Sequence, residues 1–142
     1  MAVTIQGIAT HYARRNLNGD RFARGAFDRS LQAFADGKAR VMFMDSHRWL
    51  DSSRIVGSVR QLRSNRTSLR FVAEMAETSL ASELASLVRG RHLTGISIGF
   101  KVDEYSLSDD GRNISRATLK EVSLVPFPAD PAARVTAISS DA

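Results

Sequence analysis

The stretch of sequence most informative about the fold is residues 95–102, Gly95-Ile96-Ser97-Ile98-Gly99-Phe100-Lys101-Val102. The first five letters match the G-x-S-x-G nucleophile elbow, in which a strand turns sharply into a helix. The residues that follow have no helical period. Instead, apolar side chains occupy every second position, at Ile96, Ile98, Phe100 and Val102. Strict alternation predicts a β-strand and excludes the α/β-hydrolase elbow.

Similar patterns on both sides of this strand predict the rest of the fold. Alternating or short apolar runs predict strands over 3–9, 40–44, 55–63, 68–75, 93–105 and 113–125. Apolar residues at helical spacing predict helices over 25–34 and 80–88, the second capped by Thr78 or Ser79. These elements predict the α+β class, as a small, mostly antiparallel β-barrel or strongly curved sheet flanked by helices.

Length and composition limit the organisation of the chain. Its 142 residues suit a single domain over 1–142. All three prolines lie at or after position 126, which predicts an irregular C-terminal segment from about that residue. The sequence has no cysteine, so disulfides, Cys-based zinc sites and a thiol nucleophile are excluded.

Charge and hydropathy limit the partners. The net charge is +5, but the arginines are spread along the chain and are not interleaved with aromatic residues. This favours a solvated basic surface over a dedicated nucleic-acid site, although a basic nucleic-acid-binding domain remains an alternative. We find no signal-peptide pattern and no apolar run of the roughly 18 residues that span a bilayer. The sequence therefore predicts a soluble intracellular protein without membrane contact.

Ser97 is the candidate nucleophile, because its neighbours on the same face of the strand are Gly95 and Gly99. Glycines in a strand mark the close approach of a ligand or another backbone. A peptide substrate could lie against such a bare surface, but a bulge or a tight barrel corner is the structural alternative.

A serine hydroxyl needs a base, and the chain has three histidines. His47 ends an apolar strand and opens a polar loop, which makes it the best candidate. His92 is explained by its position at a helix end. His11 lies in the first strand or at its exit, next to Tyr12. Glu121 is the candidate that orients the imidazole, with Asp45 as a second candidate. The alternative for Glu121 is a cross-strand pair with Lys101.

No metal or cofactor is predicted. The histidines are far apart in the sequence, and neither an H-E-x-x-H motif nor a phosphate-binding glycine loop occurs.

Five segments in order resemble the prohead, or capsid-maturation, proteases of tailed phages, distant relatives of herpesvirus assemblin. The resemblance spans nearly the whole chain and is carried by Gly7-Ile8-Ala9 with Gly19-Asp20 and Gly25-Ala26-Phe27, by Phe43-Met44-Asp45-Ser46-His47, by Ile55-Val56-Gly57, by Leu93 to Phe100, and by Leu119 to Val125 with Phe127-Pro128-Ala129-Asp130-Pro131. The family's histidine is often followed directly by an aspartate, whereas Arg48 stands there in this chain.

The resemblance implies an assemblin-like serine endopeptidase with nucleophile Ser97, base His47 and third member Glu121. Its implied substrates are the scaffolding segment of the major capsid protein and the protease itself, cut inside the procapsid in the host cytoplasm. Because assemblin relatives pair as dimers, a homodimer or higher oligomer is allowed by analogy. The alternative function is an inactive scaffold or internal capsid protein with the same fold.

Overall fold

The computed structural model describes residues 2–48 and 50–140, which form a closed β-barrel with two α-helices. The elements are β1 (Val3–His11), β2 (Asp20–Phe22), α1 (Asp28–Ala35), β3 (Met42–Asp45), a 3-10 turn (Ser52–Arg54), β4 (Ile55–Ser64), β5 (Ser68–Met75), α2 (Ser79–Arg89), β6 (Gly95–Ser108), β7 (Gly111–Val125) and β8 (Arg134–Ser140).

Seven of these strands close the barrel. Around it the order is β7, β3, β4, β5, β1, β8 and β6, and β6 pairs again with β7. All the pairings within this ring are antiparallel except that of β3 with β7, which is parallel. The short β2 adds to the start of β7. The predicted α+β class and the mostly antiparallel barrel are therefore confirmed.

Local sequence explains the ends of the helices. The side chain of Thr78 accepts a hydrogen bond from the Ala81 N–H at 3.2 Å, so Thr78, and not Ser79, caps α2. Helix α1 begins at Asp28 and not at Gly25, because Gly25 has a left-handed φ of 83° and belongs to a turn. Among the described residues, no helix is long and apolar enough to cross a membrane.

The core lies inside the barrel and under the two helices. Phenylalanines supply its largest fully buried side chains, and they pack in pairs: Phe22 against Phe27 at 5.1 Å between ring centroids, and Phe43 against Phe71 at 5.8 Å. Burying each ring contributes about 1.5–3 kcal/mol. Apolar side chains therefore fill the inside of the barrel.

Two short strands depart from the sequence-based prediction. The predicted loop near residue 20 contains β2, and the C-terminal segment is irregular only over 126–133, because residues Arg134–Ser140 form β8. Strand β8 pairs with β1 from Val3↔Ser140 to Ile8↔Arg134. It is exposed at most positions, so its amphipathic signal is weak, and its pairing with distant strands decides its conformation.

Candidate active site

Strand pairing brings the candidate residues to one face of the sheet. Ser97 on β6 lies directly opposite Ser123 on β7, and Gly99 lies opposite Glu121. Directly opposed residues share a face. Because the alternate residues Ile96 and Val122 belong to the hydrophobic core, this shared face is the outer one.

A turn after β3 returns the chain over this outer face. Ser46 and His47 have left-handed φ angles of 54° and 59°. Such conformations cost roughly 1–2 kcal/mol per non-glycine residue, so other contacts must hold them. The Ser46 N–H donates to the Leu124 carbonyl at 3.1 Å, and the His47 N–H donates to the Ser123 Oγ at 3.1 Å. Strand β7 thus fixes the backbone of His47.

The His47 ring is oriented by a buried carboxylate. Its Nδ1 is hydrogen-bonded to Oε1 of Glu121, which is only 2% exposed. The hydroxyl of Ser123 donates to the other oxygen, Oε2. An ionised carboxylate accepts hydrogen bonds only, so Nδ1 carries the ring proton and Nε2 of the neutral ring is left as an acceptor. This is the tautomer that a general base requires.

Ser97 and His47 line the same cavity, of about 310 Å³. Its walls also include Ala9 and Thr10 of β1, and Ala129 and Asp130 of the 126–133 segment. Ser97 is 8% exposed, and its hydroxyl makes no hydrogen bond to any other residue that the structure describes. The hydroxyl and the imidazole therefore border one space in which a substrate carbonyl could lie.

The structure shows neither of the two alternatives, a cross-strand pair of Glu121 with Lys101 or Asp45 as the group that orients His47. Lys101 pairs with Thr118, not with Glu121, and its Nζ lies 3.8 Å from Oδ1 of Asp103. Asp45 accepts a hydrogen bond from the Ser46 hydroxyl at 3.0 Å, and its other oxygen faces Arg54 at 3.4 Å. Glu121 is thus the acidic residue that contacts the His47 ring among the described residues.

The structure gives the reason for the glycine at position 95, which the sequence left open between a ligand and another backbone. A Cβ at this position would lie 2.5 Å from the Val125 carbonyl oxygen and 2.9 Å from Cδ of Pro128. The backbone that approaches Gly95 is therefore the chain's own. Close packing of β6 against the end of β7 and against Pro128 accounts for this glycine.

Ser123 is a residue of the candidate site to which sequence reasoning assigned no role. It is fully buried and contacts both His47 and Glu121. The only signal in the sequence is its position two residues after Glu121, on the same face of a mostly apolar strand. A serine in such a strand has many structural explanations, so the signal was too weak to assign a role.

The described residues contain no group of three or more His, Cys, Asp or Glu side chains placed to hold a metal ion. The polar side chains that line the cavity carry hydroxyl, imidazole, carboxylate and amide groups, the amides being those of Asn16 and Asn18.

Solved structures of viral proteases share this barrel. The bacteriophage T4 capsid assembly protease matches with a TM-score of 0.69 and 14% identity, over 86% of this chain and 80% of that one. The KSHV protease, solved with a hexapeptide phosphonate inhibitor, matches with a TM-score of 0.62 and 12% identity, over 99% of this chain and 66% of that one. The varicella-zoster virus protease matches with a TM-score of 0.52 and 14% identity, over 87% of this chain and 58% of that one.

The fold is thus that of the assemblin-like viral proteases. At the level of sequence, residues 2–142 match the family described as Caudovirus prohead serine protease, and the chain belongs to this family. It is accordingly a serine protease of prohead maturation. A search of curated protein sequences found no match.

Proposed function

We propose that this chain is an endopeptidase with a Ser97–His47–Glu121 triad, which cuts the scaffolding segment of the major capsid protein, and itself, inside the procapsid. One observation carries the proposal: the His47 ring is fixed by Glu121 at Nδ1 and borders the same cavity as the Ser97 hydroxyl. The unusual backbone at His47 supports it, since strain of this kind is concentrated at functional sites.

The mechanism is acyl transfer. Nε2 of His47 takes the proton of Ser97 as its Oγ attacks the scissile carbonyl, and the imidazolium then gives this proton to the leaving amine. An acyl-enzyme remains on Ser97. Water, deprotonated in turn by His47, releases the acid and restores the serine. Buried Glu121 stabilises the imidazolium that forms in each half of the cycle, and backbone amides would stabilise the oxyanion.

The open side of β6 supports a peptide substrate. Within the described residues β8 pairs with β6 only at Gly95, and the Ile96 N–H donates to the Ala133 carbonyl, whereas residues 97–100 continue along the cavity. A strand edge without a partner can pair with an extended peptide through main-chain hydrogen bonds. A peptide bound in this way would run past the Ser97 hydroxyl.

The test is incubation with the major capsid protein of the same phage. We expect the wild-type protein to produce fragments and Ser97→Ala to produce none, because the variant lacks the attacking oxygen. Ser106→Ala, an exposed serine on the same strand, is the matched control and should cut like the wild type. Equal cleavage by wild type and Ser97→Ala would refute the triad. Failure of every variant to cut would favour the inactive scaffold protein.

Self-cleavage needs its own experiment. The Ser97→Ala protein, carrying an added C-terminal tag, serves as substrate for untagged wild-type protein. We expect the inactive chain to be shortened only when the active one is present, and mass spectrometry locates the cut. An inactive chain that remains intact would remove self-cleavage between molecules from the proposal.

A further inference from the structure

A second histidine–carboxylate pair lies beside the candidate active site. His11 is the last residue of β1, and its Nδ1 lies 2.8 Å from Oδ2 of Asp130. The backbone N–H of His11 donates to the same oxygen, also at 2.8 Å. The two side chains are only 10% and 13% exposed. Because the carboxylate is an acceptor, Nδ1 of His11 carries the proton, whatever the charge of the ring.

Asp130 belongs to residues 126–133, which we call the strap. Its carboxylate also makes a hydrogen bond within this segment. Its Oδ1 accepts a hydrogen bond from the Ala132 N–H at 3.0 Å. Burial would raise the pKa of Asp130, but the hydrogen bonds from the His11 ring and from the Ala132 and His11 amides outweigh it, so the pKa is lowered. Asp130 is therefore an ionised group that joins the strap to β1.

The strap borders the nucleophile strand at several points. Its Ala133 carbonyl accepts a hydrogen bond from the Ile96 N–H at 3.2 Å, next to Ser97. Near its middle, Ala129 and Asp130 line the cavity that Ser97 and His47 share. The strap sequence is Pro-Phe-Pro-Ala-Asp-Pro-Ala-Ala, in which Asp130 is the only residue with a hydrogen-bonding side chain. Backbone hydrogen bonds also hold the strap, among them that from the Leu17 N–H to the Ala129 carbonyl at 2.8 Å, but Asp130 supplies its one side-chain anchor.

We propose that His11 and Asp130 are positioning residues for peptide cleavage, whose hydrogen-bonded pair holds the strap as one wall of the substrate cavity. This inference rests on the proposed function. Among the described residues, the side-chain hydrogen bonds of the pair join His11, Asp130 and the Ala132 amide and do not include a triad side chain, so we expect the pair to act on substrate binding and not on activation of Ser97. His11 must donate a hydrogen bond from Nδ1 to Asp130. The side-chain amide of an asparagine at position 11 can place an N–H donor at the same point.

The experiment compares His11→Ala and His11→Asn in two assays. The first measures kcat and KM on a peptide copied from the cut site that the wild type makes in the capsid protein. The second measures the rate at which a small fluorophosphonate labels Ser97, a reaction that does not need the strap to hold a peptide. For His11→Ala we expect kcat/KM to fall at least about tenfold, mainly through KM, since a displacement of about 1 Å can cost about a hundredfold. Labelling should stay at the wild-type rate, and His11→Asn should restore cleavage.

Tyr12→Phe is the matched control. Its hydroxyl lies 2.7 Å from Oγ of Ser64, and Tyr12 is not one of the residues that line the cavity, so its loss removes a neighbouring hydrogen bond without changing the cavity lining. We expect its KM to equal that of the wild type. If His11→Ala does not fold, Asp130→Asn, which is nearly isosteric, decides the matter by the same two assays.

Three results would overturn the positioning role. They are wild-type cleavage by His11→Ala, a His11→Asn protein as poor as His11→Ala, and a labelling rate that falls in step with cleavage. A wild-type protein that neither reacts with the fluorophosphonate nor cuts the capsid protein would instead refute the proposed function, and the positioning role with it.

Discussion

At the scale of single residues, Ser123 connects the backbone and the side chain of the candidate base. Its hydroxyl accepts from the His47 N–H at 3.1 Å and donates to the Glu121 carboxylate. One buried oxygen thus helps to hold the left-handed turn and the acidic residue together. A group of this kind acts through other residues and does not touch the substrate.

We expect Ser123→Ala to lower kcat by about ten- to a hundredfold with little change in KM, because a hydrogen-bonding partner removed from buried groups costs about 1–3 kcal/mol. Steady-state kinetics on the capsid peptide measures both constants. Ser30→Ala is the control. Ser30 on α1 is also buried, and its Oγ accepts a hydrogen bond at 2.9 Å from the N–H of Leu119 on β7, the strand that carries Ser123. An equal loss of kcat in both variants would show that Ser123 matters only for stability.

The lowered pKa of Asp130 predicts how the free energy of unfolding changes in acid. Its pKa is lowered in the folded protein from the ordinary value of 3.8. A carboxyl with a lowered pKa stabilises the folded state fully above its unfolded pKa, and this contribution is lost as the pH falls through the folded pKa. Urea unfolding of wild type and Asp130→Asn should therefore show a difference in free energy at neutral pH that narrows below about pH 4. A difference that stays constant to acid pH would contradict the ionised state of Asp130.

At the scale of elements, β6 and the strap are packed too closely for any side chain at Gly95. An added Cβ would meet the Val125 carbonyl oxygen at 2.5 Å, and a backbone atom cannot move aside as a flexible side chain can. Val125 is the last residue of β7, and Pro128 of the strap also lies close, with its Cδ 2.9 Å from the same Cβ position on the strand that carries Ser97. Stability and activity are thus coupled at this position.

We expect Gly95→Ala to lower the free energy of unfolding by about 1–3 kcal/mol, the usual cost of overpacking, and to reduce peptide cleavage as well. Urea denaturation and the peptide assay measure the two effects. The control is Gly37→Asn, because nothing lies within 4 Å of a Cβ at Gly37 and asparagine tolerates its φ of 73°. A Gly95→Ala protein as stable as the wild type would show that the end of β7 and the strap can both shift away from β6.

At the scale of the whole molecule, β8 completes the barrel. It lies between β1 and β6, with six paired positions on β1 and one on β6. Without it, two strand edges would face solvent and the ring would open beside the cavity. Exposed edges of this kind also promote association between chains.

We therefore expect a chain ending at Ala133 to lose its cooperative thermal transition or to aggregate, whereas a chain ending at Ser140 keeps all of β8 and should melt as the full chain does. Circular dichroism and size-exclusion chromatography measure both properties. An intact, monomeric protein ending at Ala133 would show that the remaining strands close by themselves.

Much of the fold was accessible from local patterns. The alternation after Gly95 gave the nucleophile strand and excluded the elbow, and apolar spacing gave both helices, with the start of α1 placed three residues too early. Strands β2 and β8 were missed, because three residues carry no period and because β8 is exposed at most positions. Long-range pairing decides both strands, and no local pattern records it.

The sequence by itself determined which residue types were available for chemistry: serine, three histidines, carboxylates and no thiol. It could not choose between Glu121, Asp45 and a Lys101 pair, because each choice depends on strand register. Only the tertiary structure set Gly99 opposite Glu121, returned His47 over β7 and joined His11 to Asp130 across 119 positions. Contacts between residues so far apart in the chain arise when the barrel closes, and closure depends on all of its strands at once.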